Sequence, residues 1–214
     1  MIYEHHVILR GIIEQAPKPD MQAGEQGVYR LTLGVKRGSG NLDHLPVMMT
    51  EALLKELPSA ELGAEIAIAG ELRTRPVYDE ANVKHKDLYV WATRRYEVAG
   101  KTGNQVILCG SVRDAARYQE TPGGYKITEL EVEVHHRDKV HHIPLVIWSG
   151  AAKAARWLER GDEVQTVGRL QSRIYTKRLP DGRIAEKTTI EVSCWRIAMP
   201  EKRIRKNTNE EAGR

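Results

Sequence analysis

The sequence predicts an all-β protein with short helices, built as two tandem five-stranded Greek-key barrels. Three observations carry that reading: the chain repeats itself, its apolar residues alternate as in strands, and each half carries one helical insert at the same place. The chain of 214 residues repeats itself at a spacing of about 98. Gly63-Ala64-Glu65-Ile66 and Gly70-Glu71-Leu72-Arg73-Thr74-Arg75 return as Gly161-Asp162-Glu163-Val164 and Gly168-Arg169-Leu170-Gln171-Ser172-Arg173. Val7-Ile8-Leu9-Arg10-Gly11 and Leu45-Pro46-Val47 return as Val106-Ile107-Leu108-Cys109-Gly110 and Ile143-Pro144-Leu145. A period this long exceeds that of solenoid repeats and marks a duplicated small domain. The expected units are 1–99 and 104–198, followed by a basic, disordered tail over 199–214.

Taken in order, the second half opens on an apolar strand over 105–112, and Pro122-Gly123-Gly124 marks a turn. Residues 125–136 alternate, with Val132 and Val134 on one face and Glu131 and Glu133 on the other, as in a half-buried strand. The polar run His136-Arg137-Asp138-Lys139-Val140 predicts a hairpin into a strand over 143–148. Residues 151–160 are strong helix formers, and Gly161 suits a left-handed C-terminal cap. A strand over 163–175, a turn at Leu179-Pro180-Asp181-Gly182 and a strand over 188–197 complete the unit. Three strands, a helix and two strands is the order of the OB-fold, and Gly168 inside a strand fits the bend where a small barrel turns a corner. The first half follows the same order. Its helix, over 51–57, is cut short by Pro58, with a further turn before Gly63. The small-residue linker over 98–103 is short, so the barrels are expected side by side.

Composition is that of a soluble globular protein, 41% apolar and 29% charged. There is no apolar run near the roughly 18 residues a membrane span needs. Cys109 and Cys194 lie in apolar strand segments and read as buried free thiols, with a disulfide between first and last strands as the alternative. A cytoplasmic, nucleoid-associated address is expected. The net charge of +4 is weak evidence for a polyanionic partner by itself. Phosphate loops, nucleophile elbows and His-Glu-x-x-His helices are absent, which argues against an enzyme, and no cofactor is expected. His135, His136, His141 and His142 read as paired surface histidines rather than a metal site.

The second half resembles the bacterial single-stranded-DNA-binding proteins. The resemblance rests on Asn104 to Gly110, Arg117-Tyr118, Thr121-Pro122-Gly123-Gly124, Ile143 to Gly150, and the block from Leu158 through Tyr175. The first half resembles that family more faintly, through Gly70 to Tyr78. The resemblance implies single-stranded DNA as partner, in replication, repair or mobile-element transfer. It also implies a homodimer, since the family binds with four barrels.

Capturing a single strand without regard to sequence needs cations along the phosphates and flat faces for the bases. By the resemblance, Trp148 and Tyr175 occupy stacking positions, with barrel core or dimer contact as the alternative. Arg117, Tyr118, Lys177 and Arg178 lie in or beside the loops that flank an OB binding face. Arg169 and Arg173 recur as cations of the first half, where Arg73 and Arg75 stand. His136 and His142 replace the family's hairpin aromatics, beside Arg137. The first half has Thr50 in place of Trp148 but keeps Tyr78, with Lys36 and Arg37 on its hairpin. Trp157 is expected in the core, and Trp91 and Trp195 in packing. The family's acidic tail is replaced by basic residues, which puts recruitment of replication and repair proteins in doubt. Two rival functions are a primosome-type or RNA-binding OB protein and a barrel pair devoted to protein–protein assembly.

Overall fold

The computed structural model describes residues 5–21, 27–78, 82–97, 103–178, 182 and 184–199. Its first five strands are β1 His6–Pro19, β2 Val28–Lys36, β3 Leu42–Thr50, β4 Glu65–Tyr78 and β5 Lys84–Arg95, with helix α1 Glu51–Glu56 between β3 and β4. The pairings β1–β2, β2–β3, β3–β5, β5–β4 and β4–β1 close them into a barrel. The second barrel holds β6 Asn104–Val112, β7 Arg117–Glu120, β8 Lys126–His136, β9 Lys139–Trp148, helix α2 Ser149–Ala155, β10 Glu163–Arg178 and β11 Ile184–Ala198. It closes through β6–β10, β10–β11, β11–β9, β9–β8 and β8–β6.

Alternation explains which side of each strand is buried. Val7, Leu9 and Ile13 of β1, and Leu130, Val132 and Val134 of β8, point inward and belong to the core. Gly168 bends its strand as the sequence predicts, and Gly70 does the same one repeat earlier. Pairing slips by one residue at Gly70 and at Gly168, and a Cβ on Gly168 would meet the Ser193 carbonyl oxygen at 2.6 Å. The extra residue of each bulge is Thr93 or Trp195. Trp195 is accordingly 54% exposed, not packed.

The two helices differ from expectation in detail. Thr50 caps α1, its Oγ1 accepting from the Leu53 N–H at 3.3 Å, and the helix stops before Pro58. Helix α2 begins earlier than expected and ends at Ala155, so Trp157 lies beyond it and is 69% exposed rather than core. Gly161 is left-handed, but its N–H donates to the Val112 carbonyl in the turn before β10 and not to the helix end. Strand β7, paired with β8, is unforeseen because all four of its residues are exposed and carry no apolar alternation. Both cysteines are free and buried, and burial pushes the Cys194 thiol up to about 12. No helix of the described residues is long and apolar enough to cross a membrane. The turn at 179–181, most of the linker and the tail beyond 199 lie outside the described residues.

The barrels join edge to edge. β1 pairs antiparallel with β6, from His6 opposite Ile107 to Leu9 opposite Asn104, which makes one 11-stranded sheet. Around that seam the repeat becomes a local two-fold. Asp43 is fully buried and accepts from the Ser172 N–H at 2.7 Å. At positions one repeat later and earlier, His141 Nδ1 accepts from the Thr74 N–H at 3.0 Å. The backbone N–H groups of His44 and His142 contact the hydroxyls of Ser172 and Thr74 in the same way, at 2.9 and 3.4 Å. Arg37 donates through Nε to Asp43 at 2.7 Å and through its terminal nitrogen to the Ser172 carbonyl at 2.9 Å. Lys86 reaches Glu131 across the same seam.

The histidine side of this seam is the acid-sensitive one. Burial holds His141 below its ordinary pKa, aided by the charges of Arg73, His136 and Lys139 and opposed by a hydrogen bond with Thr74. His142 is lowered by burial and by Arg113 and Lys86, against Glu131 and Glu133; His5 is lowered by burial and by His136 and His135, against Glu71. A histidine lowered in the folded state binds its proton more readily when unfolded. Its contribution is therefore present above about pH 6.5 and lost as pH falls below it. Thermal stability is expected to drop between pH 7 and 5, and the slope to be shallower in His141→Asn, whose amide oxygen still accepts from Thr74. Identical slopes in the two proteins would reject the assignment.

Candidate nucleic-acid interface

Because Ile143, Leu145 and Ile147 of β9 face the core, Trp148, Val146, Pro144 and His142 face outward. Ile127, Glu129, Glu131 and Glu133 of β8 lie beside them on that face. Trp148 is half-buried at the end of β9, opposite Ile127. Its ring meets Tyr125 edge-on, with centroids 6.3 Å apart at 72°. Tyr125 is 62% exposed and is a candidate the sequence reading missed; its place directly after the Gly123-Gly124 turn was the available signal. The Trp148 Nε1 is buried without a hydrogen-bond partner among the described residues.

Cations stand on strands β7 and β10 of the same sheet. Arg117, exposed on β7, stands opposite Glu129. Arg173 on β10 has a 56% exposed side chain and only a 3.7 Å approach to Glu191. Burial pushes the Glu191 carboxyl up and nearby Glu129 adds to the shift, while Arg173 and Arg37 oppose it. Arg169, half-buried, shares the outward row of β10 with Arg173. Strand β10 carries Tyr175, Lys177 and Arg178 onward into a two-stranded ribbon, opposite Lys187, Ala185 and Ile184 of β11. Tyr118 alternates with Arg117 and so occupies the other face of β7, opposite Thr128. Arg137 is exposed in the β8–β9 turn with a left-handed φ of 52°.

The face is not uniformly basic. Three glutamates of β8 line it, and two of them are tied down. Burial would raise Glu131, but hydrogen bonds from Lys86 and Arg113 hold it below the usual carboxylate range. Glu133 lies 3.6 Å from His142 Nε2.

Several residues read as cations or stackers for nucleic acid belong instead to the seam. Arg37 holds Asp43 there. Arg73 lies over the Trp91 ring at 4.7 Å, pairs with Glu71 at 3.2 Å and meets His136 Nε2 at 3.0 Å. His136 also pairs with Glu71 at 3.1 Å, and His142 Nδ1 meets Arg113 at 3.0 Å. In the first barrel the counterpart of Arg173 is neutralised. Arg75 pairs with Asp20 at 2.9 Å and Asp87 at 3.2 Å, and Asp87 also holds Arg30 at 2.6 Å. Tyr78 is exposed, but strand alternation puts it on the face opposite Arg73 and Arg75. Lys36 is exposed at the end of β2. Trp91 is half-buried under Arg73. Among the described residues no three metal-ligating side chains cluster.

Closed five-stranded circuits with a helix between the third and fourth strands define an OB-fold protein. Comparison with known proteins agrees. Residues 103–199 match the model of the single-strand binding protein family. A single-stranded DNA-binding protein of Deinococcus radiodurans is 27% identical over 99 residues, covering 42% of this chain and 32% of that protein. The chain thus spans about a third of the length of that curated relative. Among solved structures, a deletion mutant of the single-stranded DNA binding protein from Thermus aquaticus superposes with a TM-score of 0.68 at 21% identity, covering 93% of this chain and 95% of that one. The wild-type Thermus aquaticus protein gives 0.66 at 22%, covering 93% and 94%. These two likenesses concern the fold. The likeness to the single-strand binding protein family lies in the second barrel.

Proposed function

We propose that this chain binds single-stranded DNA without regard to sequence, chiefly through its second barrel. The observation that carries the reading is the aromatic pair of Trp148 and Tyr125 at the end of β9, on the sheet whose strands β7 and β10 carry the exposed cations Arg117 and Arg173. Bases would stack on the rings while the arginines, with Lys177 and Arg178 on the ribbon, would meet the phosphates. The first barrel would serve mainly as scaffold. Its equivalent arginine is held by two aspartates, and Thr50 is spent on capping α1. A homodimer of such chains would present four barrels, and a role in replication, repair or mobile-element transfer follows from the same reading.

The test is tryptophan fluorescence during titration with oligo-dT and with duplex DNA, at low and high salt. Quenching by the single strand alone, persisting in part at high salt, is the expected result. Equal and salt-sensitive binding to both would mean a generic basic surface and reject the proposal. Stacking is worth roughly 1–3 kcal/mol per base, so Trp148→Ala is expected to weaken oligo-dT binding about 5- to 150-fold. Circular dichroism of the variant should match that of the parent.

A further inference from the structure

The geometry points to a second single-strand contact on the second barrel, across the exposed side of α2 and the turn after it, with Trp157 as its base platform. This rests on the proposed binding of single-stranded DNA and extends its path beyond Trp148.

Trp148 is the N-cap of α2, and Trp157 follows the helix end, so the two rings flank one short helix. The 7 residues of α2 span about 10 Å at a rise of roughly 1.5 Å each, the length of about three stacked nucleotides at some 3.4 Å apiece. Ala152 and Ala155 face the core, which leaves Gly150, Lys153 and Ala154 exposed between the rings. Gly150 has open space around it, so a sugar–phosphate backbone can approach closely there. Trp157 is 69% exposed, and its ring lies 4.5 Å from the Arg156 guanidinium, which lies over it.

The charge of the segment matches a polyanion. From Ser149 to Gly161 it carries Lys153, Arg156 and Arg160 against Glu159 alone. All three cations are exposed. The same stretch one repeat earlier, from Glu51 to Gly63, has the opposite sign: Glu51, Glu56 and Glu61 against Lys55, which pairs with Glu51 at 2.7 Å. Ser59 there takes the place of Trp157. The helix therefore serves the same structural purpose in both barrels, but only the stretch from Ser149 to Gly161 carries a net positive charge and an exposed tryptophan. An exposed tryptophan beside exposed cations fits a strand that offers bases and phosphates together.

The experiment compares the full chain with Trp157→Ala, Trp157→Phe and the double variant Lys153→Ala/Arg156→Ala. The probes are oligo-dT of about 6 and about 20 nucleotides, lengths on either side of the roughly 4–16 that one OB barrel takes. Trp157→Ala should weaken binding of the long probe about 5- to 150-fold and leave the short one near parental, since the short one is held at Trp148. Trp157→Phe should recover much of the loss, and the double variant should lose long-probe affinity together with part of its salt dependence. Parental binding of both probes by Trp157→Ala would overturn the second contact while leaving the proposed function intact. Failure of the parent chain to bind either probe would remove both. A change of mass in solution with Trp157→Ala, without loss of long-probe affinity, would assign the ring to a contact between copies and overturn the inference.

Discussion

Replacing Asp43 with alanine is expected to destabilise the protein by about 3–5 kcal/mol, the range for removing one member of a buried ion pair. Asp43 is fully buried, and its loss strands three donors at once: the Arg37 guanidinium, the Ser172 N–H and the Ser172 hydroxyl. At roughly 2–4 °C per kcal/mol for a chain of this size, the melting temperature should fall by some 6–20 °C. Asp43→Asn keeps an acceptor for Ser172 and should lie between variant and parent. The defect should appear first at the seam, as faster amide exchange at Ser172 with the second barrel's core still protected. A melting temperature within a degree or two of the parent would mean that this contact does not hold the barrels together.

The second large effect is expected at the bend glycines. A Cβ on Gly168 would lie 2.6 Å from the Ser193 carbonyl oxygen and 3.1 Å from the Cys194 Cα, both backbone atoms that cannot swing aside. Gly168→Ala should therefore cost about 3 kcal/mol or more, at the upper end of what overpacking costs. Gly150→Ala is the natural control. Nothing lies within 4 Å of its missing Cβ, and alanine is the better helix former by up to about 1 kcal/mol, so its melting temperature should hold or rise. Equal melting temperatures for Gly168→Ala and the parent would show that the bulge can relax, contrary to this account.

The same glycines explain why so much of the fold was legible in the sequence. A barrel corner that tolerates no Cβ leaves a glycine at a fixed place in each copy, and Gly70 and Gly168 therefore keep the repeat spacing while their neighbours drift. Strand order and the helical insert followed from alternation and from Pro58. Strand β7 was not legible, because an exposed four-residue edge buries nothing and so writes no period into the sequence. Trp157 was misplaced because Ala154 and Leu158 suggested a continuous apolar stripe, whereas the helix ends at Ala155 and turns the ring out.

The candidate site was legible only where a residue's neighbours are local. Trp148 was singled out by the family resemblance at the end of a local strand, and Arg173 by its recurrence at Arg75. The carboxylates that occupy Arg75 are Asp20 and Asp87, 55 and 12 residues away, and nothing in the local sequence announces them. Arg37 and His136, named among the nucleic-acid candidates, likewise have partners on the other barrel. Recurrence between copies marked the arginines as important, but it could not separate a cation left for phosphate from one already spent on a carboxylate.

The pairing of β1 with β6 has a consequence for how the two halves can change over time. When identical subunits meet across a two-fold axis, any substitution at the contact appears twice, and each new residue must suit its own image. Here both sides of the seam are encoded separately. Asp43 could come to face Ser172 while His141 faces Thr74, and α1 could become acidic while α2 became basic, without either change being imposed on the other half. The covalent join also keeps the partner at a fixed effective concentration, so a weakened contact on one side does not scatter the barrels on dilution. One barrel is thereby free to specialise while the other stays answerable only for holding it in place.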